Sequence, residues 1–204
     1  METDNNKKWP GSVILADAEY ADSVAFNLTV NFERMLERRI PPADLARWAE
    51  CVALDGGVRG SDNDVLLVLL HKKQFLQLAN FKPGKLADEL DGKAFVSSLG
   101  EFSISAVSDE DMASKEVLLR ELIQLYGHQG EVKHLMIVAP EALLGRMRKE
   151  VGDAQQTGCQ TTAFCMEPVT GCPCRQEMLG YSLMAALGVT SEEIDNKLNK
   201  SQRL

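Results

Sequence analysis

The sequence predicts a single α/β domain with a mostly parallel sheet of about five strands layered between helices. Three observations predict it. Short aliphatic runs recur along the chain, VILAD at 13–17, VLLVLL at 65–70 and HLMIV at 134–138. Between them lie segments whose apolar residues fall three and four apart, the spacing of a helix with one buried stripe. The chain has 204 residues, 45% of them hydrophobic, enough for one full core without disulfides or metal.

The elements follow in order. Residues 13–17 read as a buried strand that delivers an acid, Asp17, at its carboxyl end. Ala21, Val24, Ala25, Leu28, Phe32, Met35 and Leu36 make one helical stripe, closed by Pro41 and Pro42 because proline cannot sit in a helix interior. Pro42 suits the start of a second helix, whose stripe is Leu45, Trp48, Ala49 and Val52 and whose stop is Gly56-Gly57. Residues 65–70 are aliphatic at every position, so that strand is expected at the centre of the sheet, with His71 at its end. Residues 72–80 fit neither period, and 83–90 are expected to form a short helix. Residues 101–107 alternate, which predicts a half-exposed strand at a sheet edge. Ser108 with Asp111 resembles a helix cap, with Asp109 and Glu110 favouring the positive helix end, and Val117, Leu118, Leu122 and Leu125 continue that helix. A strand within 132–139 leads through Pro140 and Glu141 into a helix carrying Leu143, Leu144 and Met147. Residues 161–166 are expected to be the last strand, followed by a helix over 178–187 and a final charged helix capped by Thr190 or Ser191. The first eleven residues are expected to be a flexible tail, and 12–200 the domain.

Composition narrows the function classes. The formal charge is −8, from 22 basic and 30 acidic residues, and no basic cluster interrupts it. Arg34, Arg38 and Arg39 read as a solvated face near a helix end. Nucleic acid is therefore not expected as a partner. No apolar run reaches the roughly 20 residues of a membrane span. The polar start, without an apolar core segment, predicts a cytoplasmic location. Cys51, Cys159, Cys165, Cys172 and Cys174 are an odd set and are expected as thiols. Four of them fall within a short stretch, but their spacings do not match paired zinc knuckles. Cys172-Pro173-Cys174 is read as a loop with two free thiols, the alternatives being a strained disulfide or adventitious metal.

Ligands of parallel α/β sheets lie outside the carboxyl ends of the strands. Reading those ends gives Asp17, Glu19, His71, Ser108, Asp109, Asp111, Pro140, Glu141 and Glu167. Asp17, Glu19, His71, Asp109 and Glu141 are the candidates for chemistry. Asp17, Asp109 and Glu141 are the candidate metal ligands, because clustered carboxylates need a counter-charge and Mg²⁺ is the usual one. For Glu19, Asp109, Asp111 and Glu141 the competing reading is a helix cap. No G-x-G-x-x-G, P-loop or G-x-S-x-G turn is present; Asp17-Ala18-Glu19-Tyr20 occupies the first turn. The expected fold is thus a three-layer sandwich, Rossmann-like without a phosphate-binding loop, and no cofactor is predicted. His128 and His134 read as isolated, His134 as a core residue.

The stretches VILADAEYADSVAFNLTVNFERML, RRIPPADLARW, ALDGGV and LGYSLMAALG together resemble an uncharacterised gut-bacterial family of about this length, a domain of unknown function. That resemblance spans nearly the whole chain and implies no functional residues. The chain is more weakly similar to NYN/PIN-like nuclease domains, which implies an acid at the end of the first strand. Asp17 matches it. Glu19 and Tyr20 stand where those domains usually carry an Asn, and Ala139-Pro140-Glu141-Ala142-Leu143 stands where they carry aspartates.

Two readings follow. The first is a non-catalytic binding or interaction module. The alternative is a Mg²⁺-dependent hydrolase acting on a phosphodiester or nucleotide through Asp17 with Asp109 or Glu141. Leu183, Met184 and Leu187, with Tyr181 nearby, make the late helix a candidate homodimer contact; the alternative is that it simply covers the sheet.

Overall fold

The structure, a computed structural model, describes residues 9–109 and 114–201. β1 (Ser12–Asp17), β3 (Asn63–His71), β6 (Gly100–Ser108), β7 (His134–Val138), β8 (Gln160–Cys165) and β9 (Arg175–Met178) run parallel, and β5 (Ala94–Ser97) pairs antiparallel with β6. Their spatial order is β5-β6-β3-β1-β7-β8-β9. The chain adds strands on one side of β1, then returns and adds them on the other. β1 is therefore the point at which the strand order reverses, and a crevice opens outside its carboxyl end in such sheets.

Helices cover both faces. The period-2 geometry of strands divides β1, so that Ile14 and Ala16 join one apolar cluster while Val13 and Leu15 join the other. α1 (Ala18–Leu36), α2 (Leu45–Asp55) and α6 (Leu179–Ala186) pack on the first side, with Trp48 fully buried between them. α3 (Lys115–Gly127), α4 (Glu141–Arg146) and α5 (Arg148–Gln156) pack on the second through Leu119, Ile123, Leu143, Leu144, Val151 and Ala154. α7 (Ser191–Ser201) follows α6, with Thr190 Oγ1 accepting from the Glu193 amide at 3.2 Å.

Several expectations need correction. Among the described residues the sheet has seven strands rather than about five. The two missed strands, β5 and β9, are four residues each and half-exposed at the two edges, too short for a periodic signal. The alternating strand β6 is not at the edge, because β5 covers its flank and Phe95 stacks on Phe102 at 4.9 Å. Its alternation has another cause. Leu66, Val68, Ser105 and Val107 line a cleft of about 300 Å³ under Trp9 and Pro10, so one sheet face is only partly covered there. The helix after β6 does not start at Ser108, which ends the strand; Ser114 caps α3 by accepting from the Val117 amide. Glu110 and Asp111, read as part of the earlier cap, lie outside the described residues. Residues 83–90 hold only a π-helical turn, Leu86–Leu90. The segment after β7 divides at Met147 into α4 and α5. The strand at 160–165 is followed by β9 rather than being the last. Leu183 and Leu187 are fully buried against the sheet, whereas Tyr181 is 63% exposed.

The segment between β3 and β6 is irregular and is pinned at several points. A two-residue parallel ladder joins β2 (Ala43–Asp44) to β4 (Phe81–Lys82). A single bridge joins Gln77 to Lys85. Gly100 makes the close approach that lets β6 start beside β3. Its φ is +137°, and a Cβ there would sit 2.1 Å from the Asn63 carbonyl oxygen.

Candidate functional site

β1 delivers Asp17 to the reversal point, where it is 4% exposed. Its Oδ1 caps α1 by accepting from the Tyr20 amide at 3.1 Å. The same oxygen accepts from Lys115 Nζ at 2.7 Å, and that ammonium also donates to Glu19 Oε2 at 2.9 Å. Lys115 is the first residue of α3, where the helix dipole disfavours a cation. The two carboxylates at the start of α1 offset that cost. Burial pulls the Lys115 pKa down, but Asp17 and Glu19 outweigh burial and hold it above the ordinary lysine value.

The network continues across the sheet. Tyr20 Oη donates to Glu141 Oε1 at 3.2 Å and accepts from the Met166 amide at 3.0 Å. Glu141 Oε1 also receives the Met166 and Glu167 amides, both at 2.9 Å. Burial alone would raise the Glu141 carboxyl, but its own amide, those of Glu167 and Met166, and the Tyr20 hydroxyl together hold it below the usual range. Burial, aided by the Glu141 charge, pushes the Tyr20 phenol well above its usual value.

The sequence-predicted residues thus divide. Asp17 and Glu19 meet at Lys115, and among the described residues Glu141 joins them through Tyr20. Asp109, just after β6, does not touch Lys115 or Tyr20; its Oδ1 accepts from the Lys73 amide at 2.8 Å, one residue along from the Lys72 amide that Glu19 holds. His71 ends β3, half-exposed, with Nδ1 2.9 Å from the Lys72 carbonyl. The point between Asp17 and Glu19 is filled by Lys115 Nζ, so a divalent cation there must displace an ammonium. Among the described residues no group of three His, Cys, Asp or Glu side chains is placed to hold a metal ion. His134 opens β7 at the opposite edge of the sheet, and burial lowers its imidazole pKa.

A pocket of about 420 Å³ lies beside the network, at the carboxyl ends of β3 and β6. Phe75, Leu76, Leu86, Ala87 and Ala106 give it an apolar lining, with His71, Gln77, Lys85, Asp88 and Asp91 completing the wall. Leu76 is 74% exposed. The wall is irregular chain, yet its backbone amides are held by carboxylates. Glu19 Oε1 takes the Lys72 amide at 2.9 Å, Asp109 that of Lys73, and Asp22 that of Asn80 at 2.7 Å. Glu89 takes the amides of Gly84 and Lys85, both at 3.0 Å, and Asp91 that of Ala106 at 2.9 Å. Hydrogen bonds to charged acceptors are the strong ones, so these acids fix the loop in place of regular structure.

Sequence reasoning missed Lys115, Tyr20 and the pocket wall. Lys115 and Tyr20 carry no signal, since nothing local distinguishes them. Phe75 and Leu76 do carry one, as large apolar residues inside an otherwise polar loop.

No curated protein and no solved structure matches the chain. A family model does match it, over residues 6–194. That span is nearly the whole chain, and the protein belongs to the family of unknown function DUF6621.

Proposed function

We propose that this protein is a non-catalytic binding module on a Rossmann-like, three-layer scaffold, and that its ligand site is the apolar pocket at the carboxyl ends of β3 and β6. The observation that carries this reading is how the acids are used. Glu19, Asp22, Glu89, Asp91 and Asp109 each accept backbone amides of the segment that walls the pocket or of the strand beneath it. A carboxylate engaged in this way is a structural anchor. A preformed apolar concavity with a few polar groups at its rim is what a small-molecule site requires. The ligand class that fits is a largely apolar small molecule with a polar end near His71 and Lys85.

Binding of 1-anilinonaphthalene-8-sulfonate to the native protein tests the site. Saturable fluorescence enhancement is expected, and Ala106→Phe, which fills the pocket from the sheet, should abolish it while leaving the melting curve cooperative. Enhancement that is absent, or unchanged in the filled variant, overturns the assignment. Melting with millimolar Mg²⁺ or Mn²⁺ separates this reading from a Mg²⁺-dependent hydrolase, since a cation bound only by the folded state must raise Tm. No shift is expected. A clear shift, with turnover of a nucleotide or phosphodiester, would replace the binding module by the hydrolase.

A further inference from the structure

The connection from β8 to β9 holds two thiols in contact. Cys172 Sγ and Cys174 Sγ are 3.4 Å apart, and neither is in a disulfide. The backbone bends at Pro173 and Cys174, which brings the two residues closer than an extended chain would. The sulfurs need to move by only about 1.4 Å to reach bonding distance. Surrounding structure holds this arrangement. Gln176 accepts the Val169 amide at 2.7 Å and donates back to its carbonyl at 3.2 Å, and Arg148 donates to the Thr170 carbonyl at 2.7 Å. Both cysteines are partly exposed, whereas Cys159 and Cys165 are each 3% exposed.

We propose that Cys172 and Cys174 form a thiol–disulfide exchange site that takes low-molecular-weight disulfides and closes to an intrachain disulfide. The Cys172 thiolate attacks one sulfur of a disulfide R–S–S–R, forming Cys172–S–S–R and expelling RS⁻. Cys174, losing its proton to solvent, then attacks Cys172 Sγ and expels the second RS⁻. The protein dithiol is oxidised by two electrons, the small disulfide is reduced to two thiols, and the two protons end on those thiols. Burial, then the neighbouring Cys172, holds the Cys174 thiol well above its ordinary value. The contribution of Cys172 disappears once its sulfur is in the mixed disulfide, so the first step eases the second.

The test equilibrates the full-length protein with glutathione buffers running from fully reduced to mostly oxidised, then quenches, unfolds and counts thiols with N-ethylmaleimide. The chain has five cysteines. The count is expected to fall by two as the buffer becomes oxidising, with peptide mapping placing the bond between Cys172 and Cys174. Cys174→Ser should instead accumulate a stable glutathione adduct on Cys172. Retention of every thiol at all ratios overturns the proposal. So does a bond that joins Cys172 to Cys165, or wild-type protein that stops at the mixed disulfide. Should the serine variant not fold, the mapped wild-type bond alone decides.

Discussion

Replacing Lys115 by Met is the sharpest perturbation of the reversal point. The substitution keeps the length of the side chain and removes the ammonium that Asp17 and Glu19 share. Asp17 is left with a side chain 5% exposed and, among the described residues, one remaining donor, the Tyr20 amide. Glu19, 23% exposed, keeps the Lys72 amide. Removing one partner from a buried pair typically costs about 3–5 kcal/mol, because the other charge stays buried without compensation. The residual exposure of Lys115 and Glu19 places the expected loss at the lower end, about 3 kcal/mol. For a chain of this size that lowers Tm by about 6–12 °C. Asp17→Asn in the Lys115→Met background should recover much of the loss, since an amide still caps α1 and carries no charge. Urea denaturation of the four proteins of the cycle measures the coupling. A Lys115→Met variant within about 0.5 kcal/mol of wild type, the scatter of ordinary surface changes, would refute the reasoning.

Other outcomes follow from the same geometry. Lys115 has its pKa raised in the folded state, so the stability it contributes is fully present below the ordinary lysine value and is lost as pH rises through the folded value; wild type should show this alkaline loss and Lys115→Met should not. Glu141 has its pKa lowered, so its contribution is present above the ordinary carboxyl value and fades as pH falls through the depressed one. Glu141→Gln should flatten that acid limb in urea titrations, and an unchanged limb would show that the amides of Met166 and Glu167 do not depend on the charge. Gly100→Ala should destabilise by about 1–3 kcal/mol, because φ is +137° and the new Cβ meets the Asn63 carbonyl; a neutral result by thermal melting would mean that the β3–β6 register shifts freely. Asp22→Ala releases Asn80 from α1 and should raise amide exchange selectively over residues 77–82, with β1 and β7 unchanged.

Much of the fold was legible because it is written in local periodicity. VLLVLL is apolar at every position, and β3 lies between two other strands with helices on both faces. VILAD announced a buried strand ending in an acid, and the seven-residue stripe of α1 announced its buried side. The helix expected over 83–90 is a shorter π-helical turn, Leu86–Leu90, and the two edge strands were not legible. They are too short to show a period, and Arg175–Met178 has no apolar pattern at all. Of the candidate site, the carboxyl-edge residues could be enumerated but their use could not. Asp17 and Lys115 are 98 residues apart, and Tyr20 and Glu141 are 121 apart. Which amide or ammonium satisfies an acid is a property of neighbours in space.

The sequence by itself thus determined the layering of strands and helices and delivered Asp17, Glu19, Asp109 and Glu141 to one edge of the sheet, because burial on one or both faces leaves a period of two or none in strands and 3.6 in helices. Only the tertiary structure decided that these acids part company there. Asp17 and Glu19 clasp Lys115, Glu141 gathers Tyr20 and two amides, and the rest hold the wall of an apolar pocket. A buried or half-buried charge must find a counter-charge or a donor wherever the fold supplies one, and the packing of strands, helices and loops together sets which of them comes within reach.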